Sequence, residues 1–405
     1  MSELDRRAFL LRSGALGCSL SASPFLTPVS FASTPGDNRL VVIILRGAMD
    51  GLDVVRPYGA PELQEYRPRL MADLTDDTDL DGFYALHPAL MGLMPLWRSG
   101  DLAFAQAVST PYRDKRSHFD GQDLLEAGTG QDVLKPRDGW LNRLLQTMPQ
   151  VTSETAFAVG REDLKLLSGA APVSSWSPDG RLDLSPQARL LLEQVYHEDP
   201  LFRDAGLEAL HLAESLGVAS DDSFGLSKRD MRLQVNMTAE AGQADTLAQF
   251  AATRLNESAR IAAFSISGWD THRAQQRGLQ RVLQKLGSAI LTLKSELGSN
   301  WEHTAIVAMT EFGRTARENG SMGTDHGTGG ALILAGGAIS GGRVFGEWPG
   351  LSERDLYARR DLMPTQDVRS YPAWLMQGMF GLKQAALELS VFPGLKLGRD
   401  PGLLA

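Results

Sequence analysis

Five short, nearly uninterrupted apolar runs constrain this chain more than any other feature. They are Leu40–Leu45, Leu102–Val108, Ala262–Ile266, Thr304–Met309 and Ala331–Ala335. A strand sends alternate side chains to opposite faces, so a run that is apolar on both alternating sets must be covered on both faces. Between the runs lie stretches with helical spacing, among them Pro88–Arg98, Gln187–His197, Thr238–Asn256 and Gln275–Leu297. Strand–helix alternation of this kind predicts an α/β fold, a doubly wound and mostly parallel sheet. The segment 174–238 is richer in Asp, Ser, Glu and Leu, has no strong strand, and reads as a helical insertion.

In such sheets ligands sit at the carboxyl ends of the strands, so the residues that follow each run matter most. After Leu40–Leu45 comes Arg46-Gly47-Ala48-Met49-Asp50-Gly51, a carboxylate flanked by glycines. After Ala262–Ile266 comes Ser267-Gly268-Trp269-Asp270-Thr271-His272, and after Thr304–Met309 comes Thr310-Glu311-Phe312-Gly313-Arg314. Gly323-Thr324-Asp325-His326-Gly327-Thr328-Gly329-Gly330 leads into the last run. Taken singly, each has a plain structural reading: Asp50 as a turn former, Asp270 as a helix cap. Together, Asp50, Asp270, His272, Glu311, Asp325 and His326 make a candidate site for one or two divalent ions, with Zn²⁺, Mn²⁺ and Mg²⁺ all compatible.

The segment after Leu102–Val108 contains Arg116-Ser117-His118, which would open a helix with its amides facing an anion. Ser117 there is either a nucleophile activated by a nearby ion or an ordinary N-cap. Arg46, Arg116 and Arg314 are candidates to clamp anionic oxygens, with surface ion pairing as the alternative for the last two. His87 precedes Pro88 at a helix start and reads as a capping or supporting residue. His197, His211 and His303 lie in polar surroundings and read as surface residues.

The start of the chain carries a separate message. Asp5-Arg6-Arg7-Ala8-Phe9-Leu10 places paired arginines before an apolar stretch broken by Gly14, Gly17, Pro24 and Pro28 and closed by Ser30-Phe31-Ala32. This pattern predicts a twin-arginine signal over 1–32 and one domain over 33–405 that is periplasmic or extracellular, with the twin-arginine translocase as its export partner. The breaks make that stretch a poor membrane span, and the mature protein is expected to have none. Cys18 is the only cysteine; it falls within the signal, where lipid attachment is a minority alternative. The mature chain would then lack thiolates, so any metal must be held by His, Asp or Glu. Net charge is −9 for the whole chain. The signal has three arginines against two carboxylates, so the mature part is slightly more acidic still, which argues against a nucleic-acid partner.

The motifs LRGAMDGL, RSHFDGQD, GWDTH, TEFGRTARENG and GTDHGTGGALILAGG, with the twin-arginine start, together resemble the DUF1501 family, which is grouped with the alkaline phosphatase-like superfamily. The resemblance runs from about Arg39 to Phe392. It implies an alkaline-phosphatase-like fold, with Asp50 as first metal ligand, Ser117 as nucleophile, and Asp270 and His272 as a ligand pair at shorter spacing than the superfamily's. Glu311 falls where the superfamily has Asp followed by His; Phe312 replaces that imidazole, and Asp325 is a candidate replacement ligand. His326 resembles the superfamily's late histidine.

Two functions follow. The first is a metal-dependent hydrolase or transferase acting on a phosphate or sulfate ester, small or polymeric, with Ser117 attacking. The second is a non-catalytic envelope binding or assembly protein that keeps the metal site. Metal with turnover separates them from metal without it.

Overall fold

Arg39–Arg46 forms β1, and its side chains divide between two cores as the alternation requires. Val41, Ile43 and Leu45 enter one core; Leu40, Val42 and Ile44 enter the other. The computed structural model describes residues 36–73, 78–130, 138–149, 151–160, 164–176 and 244–405, all within one compact unit, Pro35–Ala405. The expected signal over 1–32 and the stretch 187–197 expected to be helical lie outside the described residues, as does nearly all of the expected insertion at 174–238.

The other strands, in chain order, are β2 (Val55–Arg56), β3 (Ala85–Leu86), β4 (Leu102–Ser109), β5 (Ala156–Val159) and β6 (Ser174–Trp176). They continue with β7 (Ile261–Ser267), β8 (Thr304–Met309), β9 (Gly330–Ala335), β10 (Val344–Phe345) and β11 (Gln366–Asp367). β2 and β3 form a separate antiparallel pair. The main sheet has the order β10-β4-β9-β8-β1-β7-β5-β6, with β11 also beside β4. β1 is central, with Leu40 paired to Ile261 on one side and Ala305 on the other. Every pairing is parallel except those of β9, which runs antiparallel to both β4 and β8.

Four helices matter here: α1 (His118–Ala127), α2 (Trp140–Thr147), α3 (Gln275–Leu297) and α4 (Ser370–Phe380). α3 carries Leu279, Val282, Leu283, Leu286, Ile290 and Leu293 at helical spacing and lays that stripe on the Val41/Ile43/Leu45 face. Beside it lies a helix at 244–256 that adds Leu247, Phe250 and Leu255. α2 and α4 cover the opposite face with Trp140, Leu141, Leu144, Trp374 and Leu375. Helices therefore cover both faces of the sheet, a doubly wound α/β fold.

Two local expectations need correction. Ser174–Trp176, assigned to the insertion, is instead the edge strand β6, parallel to β5. Pro88–Arg98 is not one helix: a 3₁₀ segment over Pro88–Leu93 passes into a short α-helix over Met94–Ser99. Pro88 and Pro95 each sit in a first turn, where a missing amide is tolerated, and Pro95 cannot continue the preceding ladder. His87 is the cap of this segment, its Nδ1 accepting from the Ala89 amide at 3.0 Å.

Candidate metal centre

β8, β1 and β7 are adjacent and parallel, so their carboxyl ends open on one edge of the sheet. β4 ends on the same edge, because β9 is antiparallel to both β4 and β8. For the same reason β9 begins there, and the turn 323–330 arrives beside the ends of its neighbours. The local backbone is tight. Gly47 has φ +121°, and a Cβ at that position would lie 2.6 Å from the Asp270 amide nitrogen.

Three imidazoles and one carboxylate meet at this edge. His272 Nε2 and His326 Nε2 are 2.9 Å apart. Asp270 Oδ1 lies 3.1 Å from the first and 3.3 Å from the second. His118 Nε2 is buried, makes no hydrogen bond, and sits 3.5 Å from Asp270 Oδ2. His118, Asp270 and His326 each offer a ligand atom within 4.8 Å of the others.

Each ring is anchored through its other nitrogen. His118 Nδ1 donates to Glu311 Oε1 at 2.8 Å, His272 Nδ1 to Asp325 Oδ1 at 3.2 Å, and His326 Nδ1 to the Arg116 carbonyl at 2.9 Å. Carboxylates and carbonyls only accept; with the proton on Nδ1 toward these partners a neutral ring turns an Nε2 lone pair to the cluster, whereas a proton on Nε2 would go to Asp270 Oδ1, 3.1 Å from His272 and 3.3 Å from His326. Two such lone pairs at 2.9 Å repel unless a proton or a cation lies between them. The orphaned His118 nitrogen and this facing pair make the donor set one that fits a divalent ion.

The charges follow from the same contacts. The Glu311 hydrogen bond raises the His118 pKa against the effect of burial. Burial lowers that of His326, and the charges of Arg314 and His118 push the same way. Burial alone would raise Asp270, but its hydrogen bond and charge contact with Arg314, together with His272, outweigh it and hold the carboxyl below its usual range. Glu311 is likewise lowered, burial being outweighed by the bonds from His118 and Thr310.

Several expected roles are revised by this arrangement. Asp50 is buried, and its oxygens are taken by Arg67 Nη1 at 2.9 and 3.0 Å and by Gln275 Nε2 at 2.7 Å, with Thr324 Oγ1 at 3.1 Å. It belongs to a neutralised buried network, not to the open donor set. Glu311 stands behind His118, its oxygens bonded also to the Gly47 amide, Gln122 and the Thr310 hydroxyl. Asp325 orients His272 in the same way and takes a second bond from Asn319. Both carboxylates therefore support histidines, a position that strengthens the ring as a ligand.

Arg314 has no freedom to clamp a substrate. Its side chain is fully buried and donates to the carbonyls of Ala48, Thr324, Gly47 and Trp269 and to Asp270 Oδ1. It ties the turns after β1 and β7 to the loop before β9 and sets the orientation of Asp270. Arg46 is engaged with Gln122 and Glu126. Arg116 is exposed and contributes its carbonyl to His326. Ser117 caps α1, its Oγ accepting from the Asp120 amide at 3.4 Å. Phe312, standing where an imidazole was missing, stacks on His118 at 5.3 Å and lies 5.1 Å from His326, walling one side of the cluster.

The central residue that the sequence reading did not assign is His118. Its signal was positional: it follows the loop after β4 and opens a helix at the edge where ligands are expected.

No curated protein matches the chain. Among solved structures, a protein in the alkaline phosphatase superfamily from Vibrio parahaemolyticus aligns over 86% of this chain and 68% of its own, at 12% identity and TM-score 0.38. The lipoteichoic acid synthase LtaP from Listeria monocytogenes aligns over 68% of this chain at 10% identity and TM-score 0.32; the match spans only 56% of that synthase. A TAB5 alkaline phosphatase mutant with Mg bound in its M3 site aligns over 76% of this chain and 93% of its own, at 12% identity and TM-score 0.33. The family model described as "Protein of unknown function (DUF1501)" matches residues 98–388, which include His118, Asp270, His272 and His326. With most of its length and all four converging side chains inside that match, the chain belongs to the DUF1501 family.

Proposed function

We propose that this protein is a divalent-metal-dependent hydrolase or transferase acting on a phosphate or sulfate ester. The observation that carries the reading is the convergence of three Nδ1-anchored imidazoles and Asp270 at the carboxyl edge of the sheet. Two imidazole nitrogens and one carboxylate within 4.8 Å of one another, with His272 beside them, suit zinc, or manganese, better than magnesium, which takes oxygen ligands. A bound ion would neutralise charge developing on the ester oxygens and make a neighbouring hydroxyl more acidic.

The chain's own residues supply the rest. Asp270 is held ionised by Arg314, and Glu311 and Asp325 keep His118 and His272 oriented. Lys115, Arg116 and Arg273 are exposed beside the histidines in sequence and would draw an anionic ester towards them. Ser117, half-buried and adjacent to His118, is the proposed nucleophile. Its Oγ would bond to phosphorus or sulfur as the ester's C–O oxygen leaves and takes up the serine proton, and water would then release the anion and restore the hydroxyl.

Ser117→Ala is expected to abolish ester turnover while bound metal stays stoichiometric by elemental mass spectrometry. Unchanged turnover would remove Ser117 from the mechanism. One observation favours the non-catalytic reading, namely that Asp50 is locked to Arg67 instead of facing the cluster. That reading gains if metal is present and no phosphate or sulfate ester is turned over.

We also infer export by the twin-arginine route, from Arg6-Arg7 and the interrupted apolar stretch that follows. An Arg6→Lys/Arg7→Lys variant should remain in the cytoplasm; unimpaired export of it would refute this.

A further inference from the structure

A cleft of about 380 Å³ opens between the carboxyl ends of β4 and β11, lined by Ser109, Thr110, Arg113, Pro364, Thr365 and Asp367 among others. That volume is within the range of small-molecule sites, roughly 300–1,000 Å³. β11 runs parallel to β4, with Val108 beside Gln366 and Ser109 beside Asp367. The cleft therefore opens on the same edge of the sheet as the histidine cluster. Thr110 Oγ1 donates to the Glu311 carbonyl at 3.2 Å, and Tyr112 stacks on Phe312 at 5.9 Å, so one loop borders both places.

Arg113 is the unusual group in this lining. Its Nη1 is fixed by the Ser109 hydroxyl at 2.9 Å, the Tyr112 carbonyl at 2.7 Å and the Thr110 carbonyl. All three partners are neutral, and among the described residues Nε and Nη2 have no hydrogen-bond partner. The neighbouring carboxylates are otherwise occupied. Asp367 is paired with the Arg369 guanidinium at 2.7 Å, and Asp114 accepts from the Tyr357 hydroxyl at 3.1 Å. Burial lowers the Arg113 pKa, with Tyr357, Asp367 and Asp114 opposing it from longer range. A partly desolvated guanidinium, anchored on one nitrogen with no carboxylate bonded to it, is preorganised for an oxyanion at its free edge.

We propose that this cleft is a second anion subsite, in which Arg113 holds a carboxylate, sulfate or phosphate group of a substrate whose reacting ester lies at the histidine cluster. As a statement about substrate this rests on the hydrolase reading above; as a statement about anion binding it stands apart from it. The substrate class it defines is a polyanion, an ester carrying at least one further charged group beyond the one that reacts.

The test has two arms. In the first, metal-free full-length protein is titrated with inorganic sulfate and with phosphate by calorimetry. Wild type and His118→Ala should both show saturable binding, weakened about tenfold or more in Arg113→Gln. Thr365→Tyr, which fills the cleft and leaves the Arg113 anchors in place, should weaken it as much; it guards against a folding defect in the first variant. No binding in wild type, or binding lost in His118→Ala and kept in Arg113→Gln, overturns the proposal. In the second arm, Arg113→Gln should raise KM for a di-anionic ester about tenfold or more and leave that for a mono-anionic ester unchanged; equal effects on both overturn the assignment to substrate. If no ester is turned over at all, the hydrolase reading fails while the first arm still decides the subsite.

Discussion

His326→Ala should purify without stoichiometric metal and lose at least about a thousandfold in turnover of any ester the wild type accepts. His326 lies at the centre of the cluster, 2.9 Å from His272 Nε2 and 3.3 Å from Asp270 Oδ1, with the His118 ring at 4.3 Å between centroids. Removing it takes away one of the two nitrogen donors that lie with Asp270 within 4.8 Å of one another, and the partner that faces His272. An ion in such a site is worth several kcal/mol of transition-state stabilisation, and about 4 kcal/mol corresponds to roughly 10³ in rate. The fold should tolerate the change, because the ring's one bond to backbone is to the Arg116 carbonyl, about 0.5–1.5 kcal/mol. Elemental mass spectrometry and a urea melt on one preparation test both statements. A variant that keeps full metal content and native stability would refute the proposed centre.

The second large effect separates two roles for Asp50. Asp50→Ala should cost about 3–5 kcal/mol of stability, the usual penalty for removing one partner of a buried ion pair. Among the described residues it would leave Arg67, whose side chain is fully buried, with only the carbonyls of Ala316 and Thr315. Metal content should stay stoichiometric in whatever fraction folds. If the alanine variant does not fold, Asp50→Asn offers a gentler test, since the amide keeps the shape and removes the charge. Near-native stability with lost metal in either variant would return Asp50 to the ligand set.

Much of the sheet was legible from β1, β4, β7, β8 and β9, because burial on both faces leaves a continuous apolar run that a half-exposed strand would not show. The reversed direction of β9 was not legible; its run Ala331–Ala335 is as apolar as a parallel neighbour's. The strand-end rule pointed to the turns that bring Asp270, His272 and His326 to one edge, but it could not separate a side chain that faces the cluster from one that stands behind it. Glu311 and Asp325 differ from Asp270 in side-chain direction, which sequence spacing does not encode. The ion pair of Asp50 was not legible for a related reason. Its partner Arg67 is 17 residues away in a segment with no pattern of its own, and only the folded chain brings the two to 2.9 Å. His118 went unassigned because its carboxylate support, Glu311, lies 193 residues further along the chain.

The strand order has a consequence for how the protein reaches its native state. Leu40 lies between Ile261 and Ala305, so the central pairings join segments 221 and 265 residues apart in sequence. Long-range closures of this kind pay their loop entropy before they are rewarded and make folding slow. The converging side chains come from the loop after β4, the turn after β7 and the approach to β9. None of these is near the others until β4, β9, β8, β1 and β7 stand side by side. An ion that binds only that finished arrangement stabilises the completed fold and none of its predecessors. Metal uptake during refolding would therefore serve as a clock for the last step of assembly, while far-ultraviolet circular dichroism would follow the earlier ones.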